Sequence, residues 1–149
     1  MRNVQTSSYI LMYAGIIPFI LCTYSIVLES SFSWNPLSTE QILTTYTLLI
    51  GSFMAGVHWG QHLSDDAYRP ITLAIVSNLV TLTFWFALLT STLKIFLIIS
   101  AFLFMLLLVI DFFLILNNII TRRYYLHRTI VTLAVVTNLL TSSLFITSV

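Results

Sequence analysis

Five apolar runs, at 8–28, 41–61, 70–90, 95–116 and 126–146, each reach the roughly 20 residues that a helix needs to cross a bilayer. The runs are continuous instead of alternating. In hydrocarbon only helices and closed barrels satisfy the backbone, and barrel strands alternate, so each run is expected to be a helix. The fold class that follows is all-α, an integral membrane bundle of five transmembrane helices. Composition points the same way, with 58% hydrophobic and 7% charged residues against the roughly one-quarter charged of a soluble domain. Linking segments this short leave no room for a second folded unit, so 1–149 reads as a single transmembrane domain. A net charge of +1, with Lys and Arg scattered through the links, offers no basic stripe for phosphates and argues against nucleic acid.

Arginine placement predicts the orientation. Arg2, Arg69, Arg122, Arg123 and Arg128 fall on one side and Lys94 on the other, which puts the N-terminus in the cytoplasm and the C-terminus opposite. Trp34, Tyr124 and Tyr125, with Tyr68, are the expected interface anchors. Cys22 stands alone, so no internal disulfide or cysteine metal cluster is available. The preceding Phe19-Ile20-Leu21 lacks the small residues of a cleavage site, and the first run is expected to remain as a span. An odd number of spans also argues against a simple inverted repeat.

The second run is the least lipid-like and is expected at the centre. Ser52, Gly56 and Gly60 recur every fourth residue, and Gly51 with Ala55 makes a second bare face beside them, the spacing that lets helices approach closely. His58 and His62 share a helical face and could supply two metal ligands, but no third ligand is near and no acidic residue stands between them. No metal or other cofactor is expected.

Asp111 interrupts the most apolar run, on a stripe of Ser100, Phe104, Leu107, Asp111, Leu114 and Asn118. Facing lipid it would cost about 3 kcal/mol or more, so that stripe must turn inward. A matching stripe on the fifth run is His127, Val131, Ala134, Asn138 and Thr141, and the third run offers Asn78 and Trp85. His58 and Asp111 each lie about 17 residues, roughly 25 Å, from the same end of their helices. With Asn78 near that layer, a buried polar cluster of His58, Asp111 and Asn78 is the candidate functional site. It serves either as a packing lock or as a proton-relay or ligand site. Gly15 and Pro18 are expected to bend the first helix.

Several segments together resemble a known family: Gly15 to Phe19, Gly51 to Gly60, the lone Asp111, and Tyr125 to Thr129. It is a domain-of-unknown-function family of small multi-span membrane proteins that includes mitochondrial transmembrane protein 69 and many proteobacterial members. The most specific part is Phe53 with Gly56-Val57-His58-Trp59-Gly60. The chain departs from the family at Ala55 and Ser77, where glycine and proline are common. The resemblance implies an inner-membrane protein without an assigned activity. The absence of an Arg-rich amphipathic leader favours a bacterial inner membrane over a mitochondrial precursor.

No nucleophile with a paired base and no Gly-rich phosphate loop is present, so no catalytic residue is assigned. The leading reading is a non-enzymatic accessory, assembly or scaffold component that binds other membrane helices, as separate subunits or a homo-oligomer. Beside it stand a proton or small-solute carrier using His58 and Asp111, and, with least support, a quinone-, haem- or lipid-handling membrane enzyme.

Overall fold

The computed structural model describes residues 9–30, 37–63 and 72–146, with the side chains of residues 62 and 63 outside that description. Trp34 and Tyr68 therefore lie outside the described residues, as does the His62 side chain. Among the described residues all regular structure is helical, and five helices are long and apolar enough to cross a membrane. They are α1 (Tyr9–Val27), α2 (Thr39–Leu63), α3 (Thr72–Thr90), α4 (Leu93–Leu116) and α5 (Arg122–Phe145). The protein is thus a multi-pass helical membrane protein. Its outer surface carries Leu11, Phe102 and Leu144, each about seven-tenths exposed, which suits acyl chains and would be a liability in water.

Helix starts follow local chemistry. Ser38 opens α2 with a reciprocal pair: its hydroxyl accepts from the Gln41 amide at 3.2 Å and its own amide donates to Gln41 Oε1 at 3.0 Å. Thr121 caps α5 by accepting from the Tyr124 amide at 3.3 Å. That cap moves the start of α5 ahead of the expected residue 126, so Arg122 to Tyr125 belong to its first turn instead of a loop. At the end of α4, Asn118 takes a left-handed conformation (φ 57°), which turns the chain back toward α5.

Polar residues survive in these apolar helices by bonding their own backbone. Thr45, Thr47, Thr83 and Thr137 each donate to the carbonyl four residues earlier, leaving no bare hydroxyl proton for lipid. α1 is interrupted at residues 15–16, just ahead of Pro18, which has no amide to donate. The disturbed ladder is repaired from outside, because the Tyr46 hydroxyl on α2 donates to the Gly15 carbonyl at 3.0 Å.

α1 packs on α2 and α5, α3 packs on α2 and α4, and α4 and α5 form a broad contact that closes the ring, with α2 also touching α4 across the middle. An aromatic chain runs through the centre: Phe84 meets Phe104 edge-on at 5.5 Å, Phe104 meets Phe19 at 6.5 Å, and Phe19 meets Tyr46 at 5.1 Å. Each contact joins two helices. α1 and α5 are also stitched by Thr23, which donates to the Asn138 carbonyl and shares a 3.0 Å hydrogen bond with Ser142.

The two bare faces of α2 have different fates. Gly51 and Ala55 are buried, Gly51 against the ring of Phe84 and Ala55 with its carbonyl accepting from the Ser77 hydroxyl. Gly56 and Gly60 face outward, and a side chain added at either would meet no atom within 4 Å.

Candidate functional site

Five to six residues from one end of their helices, α2, α4 and α5 each turn one polar side chain inward to a common point. His58 follows Gly51 and Ala55 on the inner face of α2. Asp111 continues the buried stripe of Ser100, Phe104 and Leu107 on α4. Arg128 begins the buried stripe of α5, followed by Thr132, Val135, Leu139 and Ser142.

Asp111 is the hub. Its Oδ1 lies 2.9 Å from His58 Nε2, and its Oδ2 accepts from Arg128 Nε at 2.9 Å. All three are sequestered, at 1% exposure for His58 and Asp111 and 3% for Arg128. An arginine stays cationic in proteins and has only donors, so a carboxylate is the partner that satisfies it. The Arg128 Nη1 group rests against Met54 Sδ, a weak acceptor. With Nε2 directed at the carboxylate, His58 presents Nδ1 to the interior, where it has no hydrogen-bond partner among the described residues. The arrangement can therefore lock three helices together and leaves one imidazole nitrogen able to take or give a proton.

A second group sits at the same end. His127 Nδ1 lies 2.8 Å from the Tyr13 hydroxyl, the Tyr9 ring packs on its ring at a tilt with centroids 4.3 Å apart, and the Arg123 guanidinium lies 5.7 Å from the Tyr9 ring centre. Tyr124 and Tyr125 are half-buried, Tyr124 beside Arg128 and Tyr125 with its ring 6.1 Å from that of Phe112. Replacing Tyr13 with phenylalanine is expected to cost about 0.5–1.5 kcal/mol, since one part-buried hydrogen bond is lost while the ring contact stays. Thermal unfolding in detergent measures it.

Residue by residue, the structure departs from the sequence reading in three places. Asn78 is not in the cluster, because it and Trp85 lie on the exposed face of α3 while Ser77 takes the inward position. The inward stripe of α5 is set one residue later than expected, on Arg128, Thr132, Val135, Leu139 and Ser142; His127, Val131, Ala134, Asn138 and Thr141 are half-buried beside it. Asn118 lies past the end of the α4 helix and is exposed, so the Asp111 stripe stops at Leu114.

Arg128 is the partner that sequence reasoning missed, having counted it only toward the orientation. One signal could have found it: α4 and α5 are joined by a short link, and Asp111 and Arg128 lie at matching distances on either side of it. Among the described residues no three His, Cys, Asp or Glu side chains gather closely enough to hold a metal. The guanidinium beside Asp111 also sets a fixed positive charge where a cation would have to bind.

The comparisons with known proteins bear on nearly the whole chain. Residues 4–144 match the family model described as Protein of unknown function (DUF3429). No curated protein and no solved structure matches the chain.

Proposed function

Since the chain belongs to the DUF3429 family of proteins of unknown function, we propose from its geometry that it is a non-enzymatic accessory, assembly or scaffold component that binds another membrane helix along the outer face of α2. The observation that carries this reading is the division of labour on α2. Gly51 and Ala55 are consumed in the core, while Gly56 and Gly60 lie open over a bare stretch of backbone. In lipid such a surface gains little from acyl chains and much from another backbone, where dispersion and weak Cα–H contacts operate at short range. α2 is also less apolar than α1, α3 and α4, so it gains less than they do from facing lipid.

Substitution of Gly56 with leucine tests it. The side chain meets open space within this chain, so thermal stability of the purified protein is expected to stay unchanged. Partner subunits or self-association recovered by mild-detergent isolation are expected to be lost. Complexes that persist at full yield with Gly56→Leu, or wild-type protein that is monomeric and alone, would count against the proposal.

Orientation and membrane belong to the same reading. With Arg128 committed to Asp111, the vote rests on Arg2, Arg69, Arg122 and Arg123 against Lys94, which still favours a cytoplasmic N-terminus, and the resemblance supports a bacterial inner membrane as the location.

A second reading has its own observation, the unpartnered Nδ1 of His58. A proton taken there would be held next to Asp111 and Arg128, which suits a proton carrier. Both oxygens of Asp111 are already engaged, one by His58 and one by Arg128, and these contacts tie α2, α4 and α5 together. The packing role therefore stands first.

A further inference from the structure

At the end of the bundle away from the ion cluster, a cleft of about 600 Å³ opens between the start of α2, the end of α3 and the start of α4. Its size falls in the range of small-ligand sites. Glu40 and Lys94 both line it, each half-buried, and among the described residues neither has an ion-pair partner. Apart from them this end carries one more charged side chain, Glu29, and the linking residues 31–36 bring none. The cleft continues past Glu40 and Ile146 into a second one of about 360 Å³ that is lined by Glu29 and Thr39. Thr39 is 5% exposed, and its hydroxyl oxygen is buried without a hydrogen-bond partner among the described residues.

Helix geometry adds polarity. α4 begins in this cleft, and its N-cap residue, Thr92, makes no side-chain cap, so first-turn amides remain open beside Lys94. Open amides at a helix N-terminus together with an ammonium group favour a phosphate. Glu40 on the facing helix favours a cation with N–H donors. Leu88 and Leu93 complete the cleft with apolar surface.

We propose that this trough binds the zwitterionic phosphoethanolamine headgroup of a membrane phospholipid, with its phosphate at Lys94 and the α4 N-terminus and its ammonium at Glu40. A purely anionic headgroup meets repulsion from Glu40. A choline headgroup has no N–H to give it. The inference is independent of the role proposed for α2, since it concerns other residues at the opposite end.

Native mass spectrometry and thermal unfolding of the delipidated full chain, with phosphatidylethanolamine, phosphatidylglycerol and phosphatidylcholine added in turn, test it. Phosphatidylethanolamine is expected to bind about tenfold or more tightly than the others, the worth of one charge-assisted hydrogen bond set. Lys94→Gln and Glu40→Gln are each expected to abolish that preference, and Lys94→Arg to keep it. The wild-type lipid ranking decides the matter even if a variant fails to fold. Equal binding of all three lipids, or tighter binding of phosphatidylglycerol that ignores Glu40→Gln, would overturn the proposal. So would saturable binding of soluble phosphoethanolamine without binding of the lipid, which would mark a site for a free phosphate ester.

Discussion

Asp111→Ala is expected to destabilise the protein by about 3–5 kcal/mol, the cost of leaving a buried charge without its partner. Two groups lose their acceptor at once, because Arg128 Nε and His58 Nε2 both point at that carboxylate. Arg128 sits two turns inside α5 at 3% exposure and has no other carboxylate among the described residues to turn to. Thermal unfolding in detergent and the fraction recovered as a monodisperse species read out the loss. A paired substitution separates charge from shape: Asp111→Leu with Arg128→Leu removes both ions and is expected to recover most of the stability, since apolar replacement of a buried pair is often neutral or better. A single variant as stable as wild type, or a double variant no better than the single one, would show that the cluster does not hold the helices.

The second large effect is at Gly51. A methyl group there would fall 2.5, 2.7 and 2.8 Å from three ring carbons of Phe84, well inside contact distance. Phe84 cannot swing aside, being fully buried and wedged against Phe104. Gly51→Ala is therefore expected to cost about 1–3 kcal/mol through overpacking, and Gly51→Leu to prevent assembly of the α2–α3 pair. Gly56→Ala, five residues along the same helix, has open space before it and is expected to leave the unfolding temperature unchanged. Shortening the ring with Phe84→Leu in the Gly51→Ala background should restore part of the loss. If Gly51→Ala and Gly56→Ala behave alike, the close α2–α3 approach is wrong.

Much of this architecture could be read from the chain because lipid removes alternatives. A continuous apolar run in hydrocarbon has one economical backbone, and an aspartate within it has one tolerable direction. The level shared by His58 and Asp111 followed from counting residues along helices of fixed rise. Direction around the axis was less legible. Asn78 and Ser77 differ by 100° on a helix, and α3 has apolar residues on every side, so nothing in its pattern marks which of the two turns inward. Arg128 was hidden for another reason: it stands with Arg122 and Arg123 near one end of the fifth run, where a cation reads as an interface charge, and the pattern of that run pointed its neighbour His127 inward instead. Ala55 and Ser77 touch each other across the α2–α3 seam, the Ser77 hydroxyl donating to the Ala55 carbonyl. That contact depends on the relative rotation of two helices, which no single run encodes.

The pairing of Asp111 with Arg128 also bears on how the chain is made. These residues are 17 apart and flank a short turn, so they leave the ribosome one after the other. If α4 entered the translocation channel by itself it would bring a lone anion into the apolar phase, and α5 a lone cation. Released together as a helical hairpin, they present the bilayer with a neutralised couple from the outset. The biosynthetic unit of this half of the molecule is then the hairpin, and lengthening its turn should delay integration before it weakens the finished fold.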